Sequence, residues 1–275
     1  MGTLYVVATP IGNLSDITER AQDILRTVGV VAAEDTRRTG NLLKSLGVRT
    51  KLISMHGDSP YSRIQRILEF LEYSDVAYCT DAGSPGVSDP GAALTSAART
   101  AGHQVSPIPG PSALTAALSI FGIEASGAVF LGFLPRRPSR RQKALTTAAA
   151  TGLPVVIYSP PRQAAAITRS CISIFGSTSP ILICRELTKI HEEIEETTLT
   201  KALELEILFK AKGEYVLIVG PAELSQDVPT DSQVFEAMQQ SLDAGLSLRD
   251  AAESVASQLD VTRHHAYQLG IKLLN

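Results

Sequence analysis

Eleven residues, Asp81-Ala-Gly-Ser-Pro-Gly-Val-Ser-Asp-Pro-Gly91, hold three glycines, two prolines and two serines. Glycine lets the backbone take positive φ or approach a ligand closely, and proline fixes φ and removes a donor. The loop follows an apolar run, Val76-Ala-Tyr-Cys-Thr80, and precedes an alanine-rich stretch from Ala92 to Ala101. These read as a buried strand and a helix. A long, rigid loop at the carboxyl end of a parallel strand lies where open α/β sheets bind ligands, so its chemistry is a main-chain cradle for a small molecule. An ordinary strand-to-helix connection is only a few residues long.

Other polar clusters follow apolar runs in the same way. Thr3–Ala8 reads as a strand broken by Thr9-Pro-Ile-Gly-Asn13, with Asp16 and Glu19 spaced as a capping box for a helix to about Val28. Val30–Ala33 runs into Glu34-Asp-Thr-Arg-Arg38. A helix over Asn41–Leu46, a strand at Lys51–Ser54 and a helix at Tyr61–Leu71 come next. Gln104–Ile108 ends in Pro109-Gly-Pro-Ser112, with Ser112 placed to cap a helix over Ala113–Phe121. This alternation predicts a parallel sheet, with the loops at 9–13, 34–38, 81–91 and 109–112 along one edge.

A second alternation begins after Gly122–Gly127. It predicts strands at Val129–Phe133, Pro154–Tyr158, Ile181–Arg185, Glu192–Leu199 and Tyr215–Val219, with helices near 139–150 and 162–174. Three helices follow over 230–274, with Ser247 and Asp250 as a capping box and Thr262 as the last cap. The expectation is two α/β domains, a parallel-sheet domain at 1–122 and a mixed-sheet domain at 125–222, with a cofactor cleft between them. A short helical segment at 226–275 completes the chain.

Composition agrees with that class. The 275 residues are 44% hydrophobic but only 5% aromatic, without tryptophan, which suits aliphatic parallel sheets. The cysteines Cys79, Cys171 and Cys184 stand far apart, giving neither metal spacing nor a disulfide framework, and fit a reducing cytoplasm. Met1–Val7 lacks a basic leader region, and no stretch is long and apolar enough to span a bilayer. The dinucleotide fingerprint, the P-loop, the zinc helix and the nucleophile elbow are all missing.

Net charge is −3, yet from Ala125 to Arg185 there is no Asp or Glu against eight Lys and Arg. Five of these, Arg136, Arg137, Arg140, Arg141 and Lys143, crowd together just after Phe133-Leu-Pro135. The bland reading is a solvated helix start; a local basic surface also attracts phosphate-rich partners, and it is read here as a nucleic-acid contact. Residues 225–275 carry three basic residues against seven acidic ones, so their superficial helix-turn-helix pattern is read as a packing module and not a DNA reader.

Six segments now stand in order: Thr9-Pro-Ile-Gly-Asn-Leu14, Ala33-Glu-Asp-Thr-Arg37, the 81–91 loop, Pro109-Gly-Pro-Ser-Ala113, Gly132-Phe-Leu-Pro135 and Arg185-Glu-Leu-Thr-Lys189. Together they resemble the tetrapyrrole methylase superfamily, and within it the methyltransferases of small-subunit ribosomal RNA. The resemblance covers about residues 3–220. It implies S-adenosylmethionine in the cleft, usually a homodimer, and methylation of the ribose 2′-hydroxyl of a cytidine in 16S rRNA, free or in the small ribosomal subunit. Two segments depart from the family pattern. His56-Gly-Asp-Ser-Pro60 stands where His-x-His-Asn-Glu is common, and Tyr158-Ser-Pro-Pro-Arg162 where Glu-Ser-Pro-His-Arg is common.

On that resemblance, Asp81, Gly83, Ser84, Val87 and Ser88 hold the amino-acid and ribose end of the cofactor. Ser112 and Ala113 receive its carboxylate at a helix N-terminus. Pro10 and Gly12 wall the cleft, and Phe133, Tyr158 and Ser159 close it from the second domain. Asp35 and His56 are candidates for a general base, and Arg37 and Lys189 for phosphate contacts. No metal is expected. The competing readings are a methyltransferase of tetrapyrroles and a non-catalytic RNA-binding or ribosome-assembly factor.

Overall fold

The computed structural model describes residues 1–55, 61–86, 89, 91–123, 125–205, 209–222, 231–259 and 261–274. They form two compact units, Met1–Gly220 and Pro221–Asn275.

The first unit holds two five-stranded sheets. In the first, β1 (Thr3–Val7), β2 (Val30–Ala33), β3 (Lys51–Ser54), β4 (Val76–Cys79) and β5 (Gln104–Ile108) are all parallel, in the order β3-β2-β4-β1-β5. Side chains alternate across a strand, and both faces are buried here. Val30, Ala32, Val76 and Tyr78 join Leu4 and Ile53 against α3 (Tyr61–Leu71) and α4 (Gly91–Thr100). Val31, Ala77 and Cys79 join Val7 and Ile108 against α1 (Glu19–Thr27) and α2 (Thr36–Ser45). Every residue of β2 and β4 is buried, as the unbroken apolar runs require.

The second sheet is mixed. It is built from β6 (Val129–Phe133), β7 (Val155–Ser159), β8 (Pro180–Arg185), β9 (Glu193–Thr198) and β10 (Tyr215–Val219), in the order β6-β7-β10-β8-β9. Only β6 and β7 are parallel; the other pairs are antiparallel. Helix α5 (Ala113–Leu118) leaves the first sheet but packs on the second, where Ala117 and Phe121 meet Val156, Leu182, Val216 and Ile218. Helices α6 (Pro138–Ala149), α7 (Pro161–Phe175) and α8 (Leu199–Glu204) complete this part.

Three local expectations change. Helix α1 is capped by Thr18, whose Oγ1 accepts the Ala21 N–H at 3.2 Å, so Asp16 and Glu19 are not its capping pair; Asp16 ends a short 3₁₀ turn instead. Helix α2 starts at Thr36 and not near Asn41, because the Asp35 carboxylate accepts the Arg37 N–H and fixes the first turn. Ser112 precedes α5 without a side-chain capping bond.

The second unit is a three-helix cluster, α9 (Asp231–Asp243), α10 (Leu248–Leu259) and α11 (Arg263–Leu274), around Val234, Met238, Ala252, Val255 and Leu269. The two caps read from sequence are formed. Ser247 Oγ accepts the Asp250 N–H and donates to the Asp250 carboxylate, and Thr262 accepts the His265 N–H. No described helix is long and apolar enough to cross a membrane.

Loss of such a cap costs about 1 kcal/mol. Ser247→Ala is therefore expected to raise the hydrogen-exchange rates of the first α10 amides several-fold and to leave those of β1 and β4 unchanged. Unaltered exchange in α10 would remove the cap from the account of this helix.

Candidate active site

The carboxyl ends of the parallel strands are stitched together by short polar bonds. After β1, Thr9 exchanges both backbone hydrogen bonds with Gly83, each at 3.0 Å. Gly83 has φ +81°, a conformation that side chains disfavour, and an added Cβ would meet Ile11 at 3.3 Å. The Ser84 hydroxyl donates to the Pro111 carbonyl at 3.1 Å, tying the loop after β4 to the loop after β5. After β2, the Asp81 N–H donates to Glu34 Oε2 at 3.1 Å and the Asp35 N–H donates to Asp81 Oδ1 at 2.9 Å. Asp89 accepts the Tyr78 hydroxyl at 3.0 Å, the Gly91 N–H at 2.8 Å and the Gly86 N–H, pinning the far end of the same loop.

These loops form one wall of a cleft of about 470 Å³. From the first sheet come Ile11, Glu34, Arg38, Thr80 to Ser84, Asp89, Ser112 and Ala113; from the second, Phe133, Tyr158 to Pro161, Leu187, Lys189 and Gly213 to Val216. The volume suits a drug-sized or cofactor-sized ligand. Phe133 and Phe130 both stand edge-on to Tyr158, with ring centroids 5.7 Å and 4.9 Å away, and Phe133 remains 57% exposed at the cleft. The Tyr158 hydroxyl lies near Ser112 and the Leu114 backbone, and burial raises its pKa.

A strained turn closes the other end. Glu186 (φ 53°) and Thr188 (φ 66°) are the non-glycine residues at positive φ among those described. Such residues cost about 1–3 kcal/mol each and persist only where surroundings hold them. Here Lys189 Nζ sits 2.9 Å from Glu186 and 2.8 Å from Glu214. Partial burial works against the ammonium, but the two carboxylates raise its pKa overall. Gly12 lies against this turn: a Cβ there would stand 2.4 Å from Lys189 Cγ and 2.9 Å from the Leu187 carbonyl oxygen.

Asp81, Gly83, Ser84, Ser112, Ala113, Phe133, Tyr158, Ser159 and Lys189 thus line one cleft. Pro10 and Gly12 flank the lining residue Ile11 without lining the cleft themselves. His56, Val87 and Ser88 lie outside the described residues. Asp35 does not line the cleft; it caps α2 and pairs with Arg37 at 2.8 Å. Hydrogen bonds from the Arg37 guanidinium and backbone hold its pKa down at about 2, leaving a weak base. Glu34 and Arg38 are lining residues that the sequence reading passed over. No signal within 34–38 separates Glu34 from Asp35; only bonds to Asp81, 47 and 46 positions away, do.

The residues 3–203 match the model of the tetrapyrrole (corrin/porphyrin) methylases. The chain belongs to this family. It is 37% identical to "Ribosomal RNA small subunit methyltransferase I" of Synechocystis sp., over 99% of both chains. It is 34% identical to the protein of that name from Escherichia coli O157:H7, over 98% of this chain and 95% of the relative. With the Xylella fastidiosa (strain Temecula1) protein of the same name it shares 42% identity over 79% of this chain and 81% of that one. Among solved structures, the methyltransferase CobJ superposes with TM-score 0.62 at 19% identity, covering 81% of this chain and 95% of its own. Cobalt precorrin-4 methyltransferase CbiF gives 0.61 at 17% identity, over 80% and 95%. At that identity the structural likeness speaks for the methylase fold: a parallel sheet and a mixed sheet meeting at a cleft.

The position of Gly83 makes a sharp test of the cradle. Gly83→Asp places a Cβ in a left-handed conformation costing about 1–2 kcal/mol and adds a carboxylate beside Asp81. The expected outcome is a lower thermal midpoint and at least a tenfold loss of affinity for S-adenosylmethionine. Wild-type affinity in this variant would show that the ligand does not approach the backbone here.

Proposed function

We propose that this protein is an S-adenosylmethionine-dependent methyltransferase that modifies the ribose 2′-hydroxyl of a cytidine in 16S rRNA of the small ribosomal subunit. The observation that carries the reading is a basic helix start opening directly off the strand whose Phe133 lines the cleft. Arg136, Arg137, Arg140 and Lys143 are exposed around the first turns of α6, which has no acidic residue in its first turn. Cations at a helix N-terminus work against the macrodipole, so helix stability does not account for them. With the free N–H groups of that turn they make an attractive field for RNA phosphates. The names of the near-full-length relatives agree with an RNA substrate. A tetrapyrrole substrate leaves the basic turn without a role.

The cleft fits the cofactor. Its volume suffices, the backbone approaches the cleft at Gly83, and the acidic groups Glu34, Asp81, Asp89 and Glu214 line it. S-adenosylmethionine supplies an activated methyl group on a positively charged sulfur. In this chain Asp81, Gly83, Ser84, Val87 and Ser88 would hold its amino-acid and ribose end, with Ser112 and Ala113 at its carboxylate. Phe133, Tyr158 and Ser159 give the opposite wall an aromatic surface that excludes water, and Pro10 and Gly12 back Ile11. Keeping nucleophile and methyl group in line in a dry cleft is the main source of rate in such a displacement. Lys189, which lines the cleft, and Arg37, which does not, would serve as phosphate contacts, though each is already paired with carboxylates. A homodimer in the cytoplasm completes the reading.

Calorimetric titration of the pure protein with S-adenosylmethionine is expected to show saturable one-site binding, and small subunits lacking the methyl group to accept label from it. Failure to bind at millimolar cofactor, with and without rRNA, would favour a non-catalytic RNA-binding factor. In Arg136→Ala/Arg140→Ala, RNA affinity should fall and the slope of log K against log salt should flatten by about 1–2. Unchanged affinity and slope would remove the basic turn from the RNA contact.

A further inference from the structure

We infer that Glu34 is the catalytic base of the methyl transfer, accepting the proton of the ribose 2′-hydroxyl; the inference rests on the rRNA 2′-hydroxyl reading above. Four carboxylates line the cleft, and three are already committed. Asp81 accepts the Asp35 N–H on one oxygen and faces Arg38 at 3.6 Å on the other. Asp89 accepts three donors that fold its own loop. Glu214 is paired with Lys189. Glu34 has no direct ion pair among the described residues, and unlike Asp89, which three donors fill, it accepts only the Asp81 N–H on Oε2, with no partner on Oε1 among the described residues.

Its placement is also fixed. Glu34 is the first residue beyond β2, its N–H donates to the Cys79 carbonyl at 3.1 Å, and its Oε2 holds the Asp81 N–H. One oxygen fixes the carboxylate and the other is left for a ligand. A base set on a strand end and anchored by its own hydrogen bond keeps its geometry better than one on a loop.

The surroundings tune it in the right direction. Burial raises the Glu34 pKa, and the charges of Asp81 and Asp89 add to this, while the Asp81 N–H and Arg38 pull it down. Tyr78, on the neighbouring strand, is the other titratable group that feels Glu34, and burial keeps its phenol protonated. A carboxylate whose pKa is raised is the stronger base. Asp35, held at about 2, is not.

The step balances. As the ribose oxygen forms its bond to the methyl carbon, the carbon–sulfur bond breaks and its electron pair remains on sulfur. The hydroxyl proton passes to Glu34 Oε1 and leaves later to solvent.

The test compares wild type, Glu34→Gln and Glu34→Asp as full-length proteins. The substrates are S-adenosylmethionine and small subunits lacking the methyl group. Gln keeps an oxygen for the Asp81 N–H but cannot take a proton, so a purely positioning role survives the change and a base does not. Single-turnover rates across pH should rise through one inflection in wild type and then level. Glu34→Gln should lose about 10²-fold or more and lose the inflection, and Glu34→Asp should keep the inflection at a reduced rate. Cofactor affinity by calorimetry should stay within threefold in Glu34→Gln. In the cofactor-free protein, carbon-13 spectra of labelled glutamate should show one carboxyl titrating above the ordinary glutamate range, absent from Glu34→Gln.

Retention of the wild-type rate in Glu34→Gln, a slowed Glu34→Gln that keeps the inflection, or an ordinary Glu34 titration would overturn the assignment and leave the substrate reading standing. Wild type that binds cofactor but transfers no methyl group to rRNA or subunits would overturn the reading and the assignment together.

Discussion

The structure depends on one short helix changing sides. The chain leaves the first sheet at Ile108, yet α5 buries Ala117 and Phe121 on the second sheet, with Ala113 and Leu114 packed beside them. Each fully buried side chain of the size of Phe contributes about 1.5–3 kcal/mol. That seam fixes where the two sheets meet, and it brings the N-terminus of α5 to the cleft. The same segment also places Ser112 on the cleft that Tyr158 lines from the second sheet. Gly12 makes the companion contact, because only a residue without a side chain lets the loop after β1 lie on the 187–189 turn.

Much of the fold was legible. β3, β5, β6 and β10 are short segments bounded by turn residues, and their limits read from sequence are those found. The start of α2 was hidden because Thr36-Arg-Arg-Thr-Gly40 has polar residues and a glycine where a helix pattern is sought. The Asp35 cap and burial of Thr39, Leu42 and Leu43 outweigh that composition. α8 was missed for a related reason: its six residues, merged in sequence with the end of β9, are too few to show a period.

The cleft was legible as a set of loops but not as a set of partnerships. Glycines and prolines mark where the backbone must bend, and those marks lie along the chain. The bonds between Asp81 and Glu34 join residues 47 positions apart, and nothing in either segment announces the other. That is why Asp35 and Glu34 could not be told apart beforehand. Adjacent on the strand end, they face opposite ways: one turns outward to cap a helix and hold Arg37, the other turns into the cleft.

The strand order carries a consequence for synthesis. β1 lies between β4 and β5, so the first strand to be made is among the last to be enclosed. Its neighbours are residues 76–79 and 104–108, about a hundred residues later on one side. At about 5–20 residues per second, Leu4 to Val7 wait roughly 5–20 s on the ribosome as an unpaired apolar edge. The β8–β9 hairpin, by contrast, has its partner within a few residues. Of the strands of this chain, β1 therefore has the longest need for a chaperone's shelter.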